Sequence, residues 1–199
     1  MDLRVKRTQK NIREAFISLA EKKKVERMTI KELAETAMIN KATFYLHYRD
    51  LEDFVSQLEN EVIDDILSEI GQADSFFRRV DEFFERFTVA LIRNQKLMVI
   101  LYDNDRTNSF QNKLVISLRE KILAENNHLE FTPEMNIILT FMLRGVMDIS
   151  LYEEFEDPDE VFRALSNTIR VVTDHYRAQV HARRREKAQQ QSGTGRADQ

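Results

Sequence analysis

The chain has 199 residues, of which 42% are hydrophobic and 32% charged, with 4 glycines, 2 prolines and no cysteine. This length suits one or two small domains, and the lack of cysteine excludes disulfides, thiolate zinc sites and cysteine nucleophiles. The scarcity of turn residues argues against a sheet protein and favours long helices. No run approaches the ~20 apolar residues of a membrane span, and residues 1–10 lack the apolar core of a signal peptide. We therefore expect a cytoplasmic protein with no membrane partner.

Charge is distributed unevenly along the chain. Residues 1–50 contain 12 Lys/Arg and 7 Asp/Glu, a net charge of +5, whereas residues 51–180 contain 13 and 25, a net charge of −12. A basic first quarter joined to an acidic body favours contact between the first quarter and a polyanion. Ordinary solvated faces are the alternative, and the charges alone do not distinguish the two.

Apolar residues recur at helical spacing from the start of the chain. A first stripe runs from Ile12 to Ala20 and is followed by the polar segment Glu21–Arg27. Two short helices are then predicted, one starting at Thr29 and one over Lys41–Tyr48. A longer helix should follow them and end near Gly71, because glycine often terminates helices.

The same spacing continues through the rest of the chain. Threonine or aspartate before proline, at Thr132-Pro133 and Asp157-Pro158, predicts the start of the last two helices. The polar segment Asp103–Ser109 is predicted to be a loop. The helical stretches lie around Phe76–Leu91, Leu97–Tyr102, Phe110–Ile122, Pro133–Glu154 and Pro158–Arg183.

The segment from Thr29 to Tyr48 predicts a helix-turn-helix. Thr29 and Glu32 have the spacing of a capping box, and Asn40 is a suitable N-cap for the second helix. Two short helices joined by a tight turn can place the second helix in the major groove of DNA. Phe44 and Tyr48 share the inner face of that helix.

The remaining side chains of the second helix suit DNA contact. Lys41 offers a charge to a phosphate or a guanine edge, and Thr43 offers a hydroxyl and a methyl group. Tyr45 and His47 can donate hydrogen bonds to phosphates, and the small Ala42 permits close approach. The alternative is that Tyr45 and His47 only cover a small core.

Residues 4–60 resemble the TetR/AcrR-type transcriptional regulators, most densely over Thr29–Phe54. The first helix, beginning RVKRTQKN, also looks like that family's first helix. Two positions depart from the family pattern: Ala42 replaces a more common glycine, and Leu51 replaces a usual lysine, for which Arg49 can compensate. The matching residues are Thr29, Leu33, Ala34, Ala37, Ile39, Asn40, Ala42, Thr43, Phe44, Tyr45, His47, Tyr48, Asp50, Glu52, Asp53 and Phe54.

The resemblance implies an all-α homodimer that binds palindromic double-stranded operator DNA, usually as a repressor released by a small-molecule inducer. It assigns residues 1–50 to an N-terminal three-helix helix-turn-helix domain and 51–183 to a C-terminal helical bundle for ligand binding and dimerisation. The last two long helices are expected to form the dimer face. Residues 184–199 are predicted to be a disordered tail, because the segment is basic and then rich in Gln, Ser and Gly.

The expected DNA-contacting residues divide into two sets. Base reading is assigned to Lys41, Ala42 and Thr43. Phosphate positioning is assigned to Thr8, Thr29, Tyr45, His47 and Arg49.

The resemblance also places an inducer pocket among the middle helices, which are rich in Phe and Met. A largely apolar ligand is expected, oriented by Tyr102 or Arg144. Aromatic stripes at helical spacing are more often plain core, and that alternative stays open. The candidate lining residues are Phe84, Phe87, Leu91, Met98, Leu101, Tyr102, Phe110, Leu114, Phe141, Met142, Arg144 and Met147.

No motif in the sequence predicts catalysis. The four histidines lack a convincing ligand partner, and neither common glycine-rich phosphate loop is present. We expect no enzyme activity, no metal and no cofactor. The remaining alternative to a DNA-binding regulator is a helical protein-interaction module.

Overall fold

The computed structural model describes residues 3–71, 80–102, 107–125, 132–152 and 158–194. Within these ranges the chain is all-helical and contains no strand, which confirms the predicted fold class. No helix of these ranges combines the length and the apolar character needed to cross a lipid bilayer. The helices are α1 (Leu3–Ala20), α2 (Ile30–Thr36), α3 (Lys41–Tyr45), α4 (Leu51–Ile70), α5 (Val80–Arg93), α6 (Gln95–Tyr102), α7 (Thr107–Glu125), α8 (Pro133–Tyr152) and α9 (Pro158–Thr194), with a short 3-10 turn at Val25–Arg27.

Helix α2 begins as the sequence predicted. The Thr29 hydroxyl accepts a hydrogen bond from the Glu32 amide at 3.2 Å, and the Glu32 carboxylate accepts one from the Thr29 amide at 3.0 Å. This reciprocal pair is the predicted capping box, and it satisfies two backbone donors that a helix start leaves unpaired. The start of α2 is therefore fixed by contacts within four residues of chain.

The turn between α2 and α3 is built on Met38. The Met38 amide donates to the Glu35 carbonyl at 3.1 Å, and the Ile39 amide donates to the Ala34 carbonyl at 2.9 Å. These two bonds form a Schellman motif, which requires a left-handed residue after the helix. Met38 takes that conformation with a φ of 55°, although it is not a glycine. The turn thereby satisfies the last carbonyls of α2 and redirects the chain into α3.

Four aromatic rings form the core of the helix-turn-helix region. The ring centroids of Phe16 and Phe54 lie 5.3 Å apart, those of Tyr48 and Phe54 5.0 Å, and those of Phe44 and Tyr48 5.3 Å. Phe16 and Phe44 are both 0% exposed. Because Phe54 belongs to α4, the start of α4 completes the core around α3.

Helix α4 begins with an aspartate cap and ends at the predicted glycine. The Asp50 side chain caps it by accepting a hydrogen bond from the Asp53 amide at 2.7 Å. Gly71 ends it with a φ of 68°, a left-handed conformation that glycine adopts without steric cost.

The chain forms two compact units. The first comprises Met1–Gly71 and Val89–Glu120, and the second comprises Gln72–Thr88 and Lys121–Gln199. In the first unit, α6 packs against both α1 and α4, so the helix-turn-helix shares its unit with helices that the sequence assigned to the second domain. In the second unit, α8 packs against α9.

Of the last two helices, α8 begins as predicted and α9 extends beyond its predicted end. Helix α8 is capped by Thr132, whose hydroxyl accepts a hydrogen bond from the Met135 amide at 3.2 Å, as predicted. Helix α9 continues to Thr194, whereas a disordered tail was predicted from residue 184. Ala, Arg, Lys, Glu and Gln dominate this extension, and all are strong helix formers. The predicted cap Asp157 and residues 195–199 lie outside the described ranges.

Candidate nucleic-acid interface

Helix α3 has one buried face and one open face. The Asn40 side chain caps it by accepting a hydrogen bond from the Ala42 amide at 2.6 Å. Phe44 at 0% exposed and Tyr48 at 5% exposed hold its inner face against the aromatic core. The predicted inward placement of Phe44 and Tyr48 is thereby confirmed.

The predicted DNA-contacting residues Lys41, Ala42, Thr43 and Tyr45 lie on α3, His47 and Arg49 directly follow it, and Thr8 lies on α1. Lys41, Ala42, Tyr45 and Arg49 are exposed, whereas Thr43, His47 and Thr8 are half-buried. Lys41 forms no ion pair with any residue that the structure describes, so its ammonium group is available to an external anion. The open face therefore combines a cation, a small side chain and a phenol hydroxyl within five residues of chain.

Arg49 is partly engaged by Asp53. The Arg49 amide donates to the Asp53 carboxylate at 2.9 Å, and the guanidinium lies 3.5 Å from it. The hydrogen bond from the Arg49 amide is the main cause that holds the pKa of Asp53 below its usual value. The guanidinium itself is 85% exposed, so it can reach a phosphate while remaining close to Asp53.

Thr29 is committed to the capping box. Its hydroxyl donates to the Glu32 carboxylate at 2.7 Å, in addition to accepting from the Glu32 amide. Because a hydroxyl has one proton, donation to a phosphate by Thr29 requires this bond to break. A role of Thr29 in holding α2 is thus built into the structure, and phosphate contact remains a prediction.

Glu32 provides a pH-dependent contribution to the stability of this region. Hydrogen bonds from Lys23, at 2.6 Å, and from Thr29 lower the pKa of Glu32 from 4.5 to about 2. A carboxylate whose folded pKa is depressed stabilises the fold above its unfolded pKa and loses that contribution as the pH falls through the folded value.

We therefore expect Glu32→Gln to melt at a lower temperature than the parent chain at pH 7. The difference should diminish between pH 4.5 and about pH 2, as the parent carboxylate becomes protonated. Thermal unfolding followed by circular dichroism across this range measures it. Glu35→Gln, on the same helix, is the control, because among the described residues Glu35 forms only an exposed ion pair with Lys31 at 3.9 Å. A difference that is constant with pH would contradict the prediction.

Sequence analysis missed one residue of the open face, Leu46. It is 82% exposed, although it lies between buried Phe44 and Tyr48. Its exposure could have been predicted from the sequence, because Leu46 follows Ala42 by four residues and residues at that spacing share one side of a helix.

Most of the residues predicted to line a ligand pocket are buried. Tyr102 is 7% exposed and Met142 5%, and Arg144 is half-buried. Phe141 differs, because it is 71% exposed and does not belong to a buried cluster. It lies one helical turn after Ile137, which is 69% exposed, so both occupy the open side of α8. The other buried candidates are Phe84, Phe87, Leu91, Met98, Leu101, Phe110, Leu114 and Met147.

A groove of about 420 Å³ lies within the first unit, between α1 and α4. None of the predicted pocket residues lines it. Arg13 and Glu61 face each other across it at 3.4 Å, and burial raises the pKa of Tyr48 at its inner end. Its lining consists of Lys6, Gln9, Lys10, Arg13, Tyr48, Phe54, Leu58 and Glu61.

Comparison with known proteins supports the fold. No family model and no curated protein matches the sequence. Among solved structures, the chain is similar to the dihydroxyacetone kinase operon activator DhaS, with a TM-score of 0.53 and 16% identity. The similarity covers 88% of this chain and 97% of that one. The chain therefore shares the all-helical fold of that protein along most of its length.

Proposed function

We propose that this chain is a sequence-specific DNA-binding transcriptional regulator of the TetR/AcrR type. The observation that carries the proposal is the open face of α3, where Lys41, Ala42 and Tyr45 are exposed on a short helix held by a buried aromatic core. A short helix with such a face can enter the major groove, where side chains read base edges. The fold that the chain shares with an operon activator is in accord with this function.

Dimerisation is part of the proposal. Ile137, Phe141 and Gly145 follow one another at intervals of four residues on α8, and the first two are 69% and 71% exposed. A methyl group added at Gly145 would meet no atom of the described residues within 4 Å, so packing within the described part of one chain does not require glycine there. Val171 on α9 is also 70% exposed. A second copy would cover these apolar side chains, and a two-fold dimer would present two α3 helices to a palindromic operator.

The proposal also includes relief of repression by a small, largely apolar ligand. A ligand lowers DNA affinity only if it binds better to a conformer whose two α3 helices are wrongly spaced. Helix α4 follows α3 directly and is tied to α7 by an ion pair between Glu59 and Lys113 at 2.7 Å. That connection supports α4 as the element through which a ligand acts. The similar solved protein is named an activator, so a reporter assay with and without the chain is needed to give the direction of control.

The competing function is a helical protein-interaction module that does not bind DNA. The exposed apolar residues of α8 and α9 would serve that function equally well. The open face of α3 and the net charge of +5 over residues 1–50 favour DNA instead. The decisive experiment is therefore DNA binding by the full chain.

Selection from a pool of randomised duplexes, followed by titration of the selected duplex, tests DNA binding directly. Lys41→Ala should weaken binding about tenfold, because one charge-assisted contact in the groove is lost, while the melting temperature is retained. Lys96→Ala is the matched control, since Lys96 is an exposed lysine on α6. Binding should also fall steeply with salt. Failure to enrich any duplex would overturn the proposed function, and equal losses in both variants would show that Lys41 does not contact DNA.

A further inference from the structure

Leu46 lies at the centre of the open face of α3. Its amide donates to the Ala42 carbonyl at 3.1 Å, and its φ of −71° and ψ of −21° are helical. Leu46 therefore continues the last turn of α3 and lies one turn after Ala42. At about 100° per residue, both residues lie roughly 160° from Phe44, on the side opposite the aromatic core.

The chemistry of this position differs from that of its neighbours. The Leu46 side chain is 82% exposed and has only apolar atoms, whereas Lys41, Tyr45 and Arg49, which are exposed and near it in the chain, offer charges or a hydroxyl. An exposed branched apolar side chain with charged and hydroxyl-bearing residues near it in the chain favours a partner that has both an apolar group and negative charges. The major groove of DNA provides such a group at one kind of base, since the C5-methyl of thymine is the apolar feature of its floor.

Charge favours DNA over an apolar protein partner for this face. Residues 1–50 carry a net charge of +5, in a chain whose overall net charge is −4. A second copy of this chain would bring both its basic first quarter and its acidic body to this face. Duplex DNA, in contrast, is anionic along its whole length. The small Ala42 beside Leu46 leaves room for the close approach that a methyl contact requires.

We propose that Leu46, seated beside Ala42, packs on a thymine methyl group in the major groove and makes one A·T pair a specificity determinant of each half-site. This inference rests on the proposed function, because it needs α3 in the groove. It assigns to Leu46 a reading role by apolar contact, which adds to hydrogen bonding by Lys41 and Thr43.

Replacement of thymine by deoxyuridine tests the contact, because deoxyuridine lacks only the methyl group and retains the base-pairing edge. The duplex selected by the full chain is resynthesised with each thymine replaced in turn, and affinities are measured by fluorescence anisotropy. Loss of one buried methyl group should weaken binding by the parent chain about fourfold at one position of each half-site. Leu46→Ala should bind the thymine duplex more weakly and be insensitive to that replacement.

Ile92→Ala is the matched control, because Ile92 is an apolar residue of the same unit that is 57% exposed on α5. It should retain the full sensitivity to deoxyuridine. The inference is overturned if no replacement weakens the parent chain, or if Leu46→Ala remains as sensitive as the parent. In both cases DNA binding itself would stand, whereas failure to select any duplex would overturn the proposed function instead.

Discussion

Phe44→Ala is expected to lower the free energy of unfolding by about 3 kcal/mol. Phe44 is 0% exposed, and its ring contacts Tyr48 and Phe54 with centroid distances of 5.3 and 6.2 Å. Truncation removes buried apolar surface and leaves a cavity. The neighbouring rings can fill that cavity only in part, because they belong to several helices. Chemical denaturation followed by circular dichroism measures the loss.

Tyr45→Ala is the matched control, since it removes the adjacent aromatic residue, which is 55% exposed. We expect a loss below about 1 kcal/mol, because an exposed ring loses little on truncation. Tyr45→Ala should weaken DNA binding more than Phe44→Ala does, when the two variants are compared under conditions where both are folded. Equal losses of stability would mean that the inner and outer faces of α3 are wrongly assigned, which would remove the basis of the proposed function.

Lys113→Met is expected to destabilise the first unit by about 2 kcal/mol, because it strands the Glu59 carboxylate. Glu59 is 4% exposed, and its Oε2 atom lies 2.7 Å from the Lys113 ammonium, which also donates to the Ser56 hydroxyl at 3.3 Å. This loss is smaller than the roughly 3–5 kcal/mol typical of a broken buried pair, since the Lys113 side chain is 37% exposed and water screens part of the interaction.

The double variant Glu59→Met with Lys113→Met should recover most of that loss, because replacing both charges leaves no unpaired group. Lys121→Met is the control within α7. Its partner Glu125 lies on the same helix at 2.8 Å, and such pairs contribute about 0.5 kcal/mol or less. Equal losses from Lys113→Met and Lys121→Met, measured by denaturant titration, would show that the pair between α4 and α7 is not a stabilising connection.

The ion pair between Glu59 and Lys113 is also relevant to how a ligand would change DNA binding in the proposed function. Glu59 lies two turns into the helix that follows α3, and Lys113 lies on a helix more than fifty residues later in the chain. Arg93 on α5 pairs with Glu69 near the other end of α4. These two contacts hold α4 to later helices of the first unit, so a shift of those helices would be transmitted to α3.

Local features of this fold were predictable from the sequence. The capping box of Thr29, the cap of Asn40 and the end of α4 at Gly71 each depend on contacts within a few residues. The burial of Phe44 and the exposure of Ala42 followed from helical spacing alone. Leu46 could have been found in the same way, because its spacing from Ala42 is also local.

Other features required the folded chain. The pairing of Glu59 with Lys113 joins residues 54 positions apart, and nothing in the spacing of charges selects that partner. Phe141 has the character of a core residue, yet it is 71% exposed, because only the packing of α8 decides which of its sides is covered. The continuation of α9 to Thr194 was missed because polar composition was taken as disorder, although those residues have high helix propensity.

By itself, the sequence determined that this chain is helical, where most of its helices begin, and which side of α3 carries the groups suited to DNA. These properties arise from periodicity and from hydrogen bonds between near neighbours, which a linear order of residues contains in full. Only the tertiary structure decided that a groove lies between α1 and α4 and that α6 packs on both of those helices. Such features depend on which distant surfaces meet, and their free energy comes from contacts that no short window of sequence contains.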